Sequence, residues 1–312
     1  TNALRVQWSE QNRSTSGKKV RQALEKAKAA IPDWFGMLPE SDCTVEATPY
    51  GPVAYYSDPN VETGKQGNVY FNTADPASWA TYELESTAFH ESIPGHHLQL
   101  AITAEKPDLH KVQRDIGNTA FIEGWALYSE RLSDEMGLFE SDLTRFGLLS
   151  ADSLRACRLV VDTGMHALGW SRDQAIQFML DHSPQDREQV TQEIDRYIGL
   201  PGQALSYMIG RLEILAVREE AQKRGDFDIK AFHDAVLGYG SVPLSTRAPE
   251  RVAERCARPA IASCFDSSPA FTISMRSLSL RTLDRVRTGV ATETSSPARV
   301  LAISGSSRGE SA

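Results

Sequence analysis

Apolar residues recur at helical spacing through most of the chain. In KKVRQALEKAKAAIP (18–32), Val20, Leu24 and Ala27 share one face and Pro32 ends the pattern, which predicts an amphipathic helix. Between residues 43 and 72 the pattern shortens. Residues 43–47 and 53–56 are β-favouring runs, 67–72 is a third, and Gly51-Pro52, Asp58-Pro59-Asn60 and Gly64 mark turns. These predict a small antiparallel sheet near the N-terminus. From Pro76 to Gly238 the pattern is helical again. Helices are expected over 78–93, 119–136 and 141–168. Ser171 with Gln174 has the spacing of a capping box and opens another. Ser183 as N-cap, with Pro184 at the first helical position, opens a fifth. A long helix over about 203–224 and a short one over 229–237 close the series. The expected fold is mainly α.

After Leu244 the composition changes. Residues 245–312 hold ten Arg and no Lys, against fourteen Arg and nine Lys before them, and thirteen of these last residues are Ser. Apolar periodicity fades there. The expected division is a helical domain over 1–244 and an atypical Ser/Arg-rich tail over 245–312, either disordered or out of frame. Gly305-Ser306-Ser307-Arg308-Gly309 matches the serine-hydrolase elbow. It lacks the strand before, the helix after and a downstream His, and is set aside.

Composition narrows the classes. A chain of 312 residues with 41% hydrophobic and 24% charged residues has the make-up of an ordinary globular protein. A net charge of −8 argues against nucleic acid as the main partner. No apolar run reaches the length of a membrane span, and no signal peptide is visible, so the default expectation is cytoplasmic, without a membrane partner. The four cysteines have no metal-ligand spacing. Oligomeric state is not legible.

The chemistry concentrates in His90-Glu91-Ser92-Ile93-Pro94-Gly95-His96-His97. Three imidazoles and a carboxylate in one short stretch suit a hydrolytic metal site: zinc takes His nitrogens, and a nearby carboxylate accepts a proton from its water. Position i+4 from His90 is Pro94, so the stretch departs from His-Glu-x-x-His. Pro94 cannot donate to the His90 carbonyl, and Gly95 relaxes the backbone, so a kink or bulge is expected between the histidines. Such a bulge can bring either His96 or His97 to His90, and the sequence leaves that choice open. In FIEGWALYSE, Glu123 sits among apolar residues of a second helix and suits a third ligand; Glu130, seven residues on, shares its face as a supporting group. Asp162 and His166 lie one turn apart, and Tyr207 follows Pro201-Gly202; either His166 or Tyr207 is a candidate donor to an oxyanion. Arg158 and Arg196 are candidate anchors for a substrate carboxylate.

The runs YELESTAFHESIPGHHLQ, FIEGWALYSERL, CRLVVDTGMHALGWSRDQAIQFM and RYIGLPGQALSYMIG closely resemble the bacterial domain of unknown function 885 family. The resemblance covers residues 40–244. That family is similar to zincin-type metallohydrolases and, distantly, to Taq-type carboxypeptidases. The resemblance implies a mostly helical zincin-like architecture with the site between helices. It further implies one zinc ion held by His90, by His96 or His97, and by Glu123, with Glu91 as general base. Family members are usually longer, so the chain is expected to lack most of their N-terminal half. The expected function is a zinc-dependent hydrolase of peptide or small amide substrates. An esterase on the same site, and a non-catalytic helical module with a structural ion or none, are the rivals.

Overall fold

The computed structural model describes residues 10–51, 53–73, 80–223 and 225–243, with side chains from Gly17 onward. All belong to one unit, Thr1–Ala260. The tail expected over 245–312 and the Gly305–Gly309 motif lie outside the described residues.

The N-terminal helix α1 runs Glu10–Ala30 and ends in a 3-10 turn, Ile31–Asp33, started by Pro32. Strands β1 (Cys43–Thr48), β2 (Ala54–Ser57) and β3 (Gly67–Asn72) follow. The sheet order is β1-β3-β2. β2 pairs antiparallel with β3, Ala54 opposite Phe71. β1 pairs parallel with β3, Cys43 opposite Gly67 and Thr48 opposite Asn72. The sheet is therefore mixed, which corrects the antiparallel expectation. Alternation along a strand shows that one face is buried; it does not say which neighbour the strand pairs with. β3 is the most buried of the three and takes the centre, where both its edges are paired.

The rest is helical: α2 (Leu84–Glu91), α3 (His96–Ala104), the short α4 (Lys111–Asp115), α5 (Thr119–Glu135), α6 (Asp142–Ala167), α7 (Arg172–His182), α8 (Arg187–Gly199), α9 (Leu205–Gln222) and α10 (Ile229–Leu237). Ser171 caps α7 in a reciprocal box with Gln174, as its spacing predicts. Ser183 does not cap α8. Its hydroxyl donates back to the Met179 carbonyl at the end of α7 (2.7 Å), and Asp186 caps α8 by accepting from the Gln189 N–H (2.8 Å). Two capping signals stood three residues apart, and the one beside the apolar stripe of Val190 and Ile194 opened the helix.

Two apolar clusters organise these helices. The larger gathers Phe35, Phe89, Leu98, Phe121, Trp125 and Phe232 between α1, α2, α3, α5 and α10. Each large side chain so buried contributes about 1.5–3 kcal/mol. The smaller joins α6, α7 and α8 through Val161, Ile176, Met179, Val190 and Ile194. Between them α5 and α9 cross backbone to backbone at Gly124 and Gly210. A methyl group on Gly210 would lie 2.6 Å from the Gly124 Cα, well inside ordinary contact. Glycine inside a helix costs about 1 kcal/mol relative to alanine, and here that cost brings two helices together. Glu123 sits one residue before the crossing and Tyr207 one turn before it. Among the described residues, no helix is long and apolar enough to cross a membrane.

Candidate metal centre

The helix carrying His90 does not bulge; it stops. α2 ends at Glu91, residues 92–95 form a joint, and α3 restarts at His96. Within the joint the Gly95 N–H reaches the Phe89 carbonyl (3.0 Å) and the His97 N–H reaches the Ser92 carbonyl (3.0 Å). A Cβ on Gly95 would run into the carbonyls of His90 and Phe89, so only glycine lets the chain fold back this closely. Trp125 of α5 donates its indole N–H to the Pro94 carbonyl (2.9 Å), tying the joint to the helix that carries Glu123. The break is larger than the bulge expected from Pro94-Gly95. It leaves His90 near the end of one helix and His96 at the start of the next.

Those two histidines and Glu123 meet. Their three ligand-capable atoms lie within 4.8 Å of one another. Glu123 Oε2 is 3.6 Å from His90 Nε2 and 3.5 Å from His96 Nε2. These separations are too long for good hydrogen bonds, and Glu123 Oε2 is buried with no hydrogen-bond partner. Ligand atoms ~2.0–2.1 Å from a tetrahedral zinc stand roughly 3.3 Å apart. The two Glu123–His separations lie close to that value, and the set fits a divalent ion in donor chemistry and in its unpartnered carboxylate oxygen.

Behind His90 stands Glu130. It accepts from His90 Nδ1 (2.7 Å) and from the Ser86 hydroxyl (2.7 Å), and Arg155 lies 3.6 Å away. With Nδ1 facing a carboxylate, the Nε2 edge is the one turned to Glu123. Burial alone would lower the His90 pKa, but the facing carboxylates Glu123 and Glu130 outweigh it and hold the imidazole up at about 9. Burial would raise the Glu123 carboxyl; His90 and His96 hold it well below the usual carboxylate range. An incoming cation would have to displace the His90 proton.

The structure decides between the two adjacent histidines. His97 faces the sheet: its Nδ1 meets the Tyr56 hydroxyl (2.9 Å) and its Nε2 the Ser41 carbonyl (3.1 Å). Gly67 of β3 leaves the room, since a Cβ there would collide with both Tyr56 and His97. Burial lowers His97 to about 4 and keeps it neutral. His97 is a strut between α3 and the sheet, and its place among the candidate ligands is corrected on that ground. Consecutive helical residues point about 100° apart, so only one of the pair can face His90.

Other expected residues fall into two groups. Glu91 follows His90 at the end of α2 and is half-buried. Tyr207 lies against the cluster, its ring parallel to His90 at 6.3 Å between centroids. Arg158 stacks on Tyr207, its Cζ 4.5 Å from the ring centre. It also pairs with Glu193 (2.6 Å) and donates to the Tyr197 hydroxyl (2.6 Å). Arg196 reaches the same Glu193 oxygen (3.2 Å). His166 is different. Its Nδ1 meets the Asp162 carboxylate on its own helix (3.0 Å), and Asp162 accepts from the Gly202 N–H (3.1 Å). The pair secures the Pro201-Gly202 turn that leads into α9 and Tyr207. Asp162 thus ties His166, by its Nδ1 edge, to the turn that leads to Tyr207. Sequence reasoning missed Ser86, Arg155, Glu193 and Tyr197. The buried Gln99, whose amide has no hydrogen-bond partner, was missed as well. Ser86, Gln99 and Tyr197 lie within the conspicuous runs, yet each of the five matters through what lies opposite it.

The sequence matches, over residues 1–247, the family described as bacterial protein of unknown function, DUF885. The chain belongs to the DUF885 family. Two solved structures are similar to it. One is a putative lipoprotein from Colwellia psychrerythraea, 34% identical with a TM-score of 0.76, covering 80% of this chain and 44% of that one. The other is a putative lipoprotein of unknown function from Shewanella oneidensis, 28% identical with a TM-score of 0.65, covering 80% and 47%. This DUF885 chain thus spans less than half the length of each. Comparison with curated proteins gives no match. Both solved relatives are described as lipoproteins, a class anchored to membranes or exported, and this overturns the cytoplasmic default.

Proposed function

We propose that this DUF885 chain is a zinc-dependent hydrolase of amide bonds, a peptidase with a zincin-like arrangement of helices, working in the cell envelope or outside the cell. The observation that carries the reading is the buried, unpartnered Glu123 Oε2 facing the Nε2 edges of His90 and His96. His90, His96 and Glu123 would hold a zinc ion, which would supply Lewis acidity and lower the pKa of water. The chain's own residues do the rest. Glu91, adjoining His90 and still partly exposed, takes the proton from the attacking water and returns it to the leaving amine. Tyr207, packed on His90, donates its hydroxyl to the developing oxyanion. Glu130 holds His90 by Nδ1, and the Asp162–Gly202 contact fixes the turn before Tyr207. The envelope location follows the lipoprotein description of the solved relatives.

The test is zinc analysis combined with hydrolysis of a peptide library by the wild type, Glu91→Gln and Glu123→Ala. Glu91→Gln is expected to keep zinc and lose activity by about 10²–10⁴-fold. Glu123→Ala is expected to lose zinc. Full activity in zinc-loaded Glu91→Gln removes the general base; undiminished zinc in Glu123→Ala removes the ligand.

A further inference from the structure

Arg158 is almost wholly buried, and so is its surplus charge. Its Nε and Nη2 edge is spent on Glu193 and Tyr197. Arg196 leans on the same Glu193 oxygen, so two cations share one carboxylate. A guanidinium is a planar fork, and the Nη1 corner points away from whatever Nε and Nη2 hold. In Arg158 that corner is buried and meets no acceptor; the Nε of Arg196 is likewise buried and unpartnered. A buried cation short of a counter-charge is expensive, which an arriving anion would relieve.

The location limits what that anion is. Arg158 Cζ lies 4.5 Å from the Tyr207 ring centre and the His90 ring 6.3 Å from it, so cation and imidazole are at most roughly 11 Å apart. A peptide residue spans at most ~3.6 Å, and a charge-assisted hydrogen bond adds ~2.8 Å. A carboxylate held by Arg158 therefore has a peptide carbonyl one or two residues upstream within reach of His90.

We infer that the site takes peptides by their free C-terminal carboxylate, held at the Nη1 corner of Arg158 with help from Arg196, and so acts as a carboxypeptidase. This rests on the hydrolase reading above. Water oxygen joins the carbonyl carbon, the C–N bond breaks, and the nitrogen takes the proton Glu91 received. The products are a shortened peptide acid and a free amino acid or dipeptide.

The test separates binding from turnover. Acetyl-Ala-Ala and its C-terminal amide are titrated calorimetrically into zinc-loaded Glu91→Gln protein, and cleavage of the same pair is measured on the wild type. The free acid is expected to bind about ten- to a hundredfold more tightly than the amide, the worth of a charge-assisted bond. Arg158→Gln is expected to abolish that preference. Should Arg158→Gln not fold, Arg196→Gln, whose side chain is partly exposed, must still reduce it. Equal binding of acid and amide, binding of neither, or an unchanged preference in both Arg variants overturns the anchor. If acid binding is preferred and nothing is cleaved, the anchor stands and the hydrolase reading falls. If acid and amide are bound and cleaved alike, the hydrolase reading stands and the anchor falls.

Discussion

Gly210→Ala is expected to destabilise the protein although helix propensity favours it. Alanine in a helix interior is better than glycine by about 1 kcal/mol. Here the added methyl would stand 2.6 Å from the Gly124 Cα, where 3.4–4 Å is ordinary contact, and nearer still to the Ala120 carbonyl oxygen. Both opposing atoms are backbone, so no side chain can swing away. The helices must part by well over 1 Å, because the Ala120 oxygen stands 1.9 Å from the added methyl, and overpacking of this kind costs about 1–3 kcal/mol. The net expectation is a loss of up to about 2 kcal/mol. Gly199 supplies the control. It is the last residue of α8 with nothing within 4 Å of an added Cβ, so Gly199→Ala should be neutral or gain up to about 1 kcal/mol. Urea unfolding of both variants beside the wild type reads the two signs. Peptide-hydrolysis rates read the consequence for the site, since parting α5 from α9 moves Tyr207 away from the metal ligands; activity should fall in Gly210→Ala and hold in Gly199→Ala. A Gly210→Ala protein as stable as Gly199→Ala, or more so, would refute the claim that this crossing is closed.

Further expectations concern single residues. His96→Ala should abolish high-affinity zinc binding, whereas His97→Gln should retain it within a few-fold and lose stability instead; competitive titration with a chelator distinguishes them, and the reverse order would return His97 to the ligand set. Glu130→Gln keeps the volume behind His90 and removes the charge, so zinc affinity should drop about 10–100-fold; an unchanged dissociation constant would show that Glu130 does not hold the ligand. His233 is buried, accepting from the Tyr128 hydroxyl (2.8 Å) and donating to the Trp34 carbonyl (2.8 Å), and burial lowers it to about 3. Because its folded pKa is depressed, the unfolded chain binds the extra proton first: the stability this group contributes is complete above about pH 6.5 and is lost as pH falls toward 3, with a ceiling of about 5 kcal/mol. Urea midpoints should therefore fall between pH 7 and 5 in the wild type, and fall less steeply in His233→Gln; parallel profiles would count against this group as the cause.

How much of this was legible from the chain alone differs from element to element. Helical periodicity located α5, α6, α9 and α10 to within two residues, and the capping box located the start of α7, because an apolar stripe bounded by a cap, glycine or proline is a local signal. The pairing of β1 with β3 was not legible: alternation marks a strand's faces and says nothing of its neighbours. The same divide runs through the site. His90, Glu123 and the break at Pro94-Gly95 stood out because their residue types and spacing are unusual within a helical pattern. Whether His96 or His97 turned inward was beyond the sequence, since both lie in one helix turn and the answer depends on Tyr56, Ser41 and Gly67 arriving from the sheet.

What the sequence determined by itself was the inventory: a mainly helical chain, a His-Glu-rich joint, a glutamate on an apolar helix, and arginines and a tyrosine further along. What only the tertiary structure decided was their mutual arrangement. The Gly124–Gly210 crossing sets Glu123 near Tyr207, Glu130 selects the His90 nitrogen that faces inward, and Glu193 takes one edge of Arg158 while leaving the other unpaired. The physical reason is range. Propensity, capping and periodicity act within about a turn or two of helix, whereas ligand geometry and the balance of buried charge depend on atoms brought together from segments some 30 to 120 residues apart.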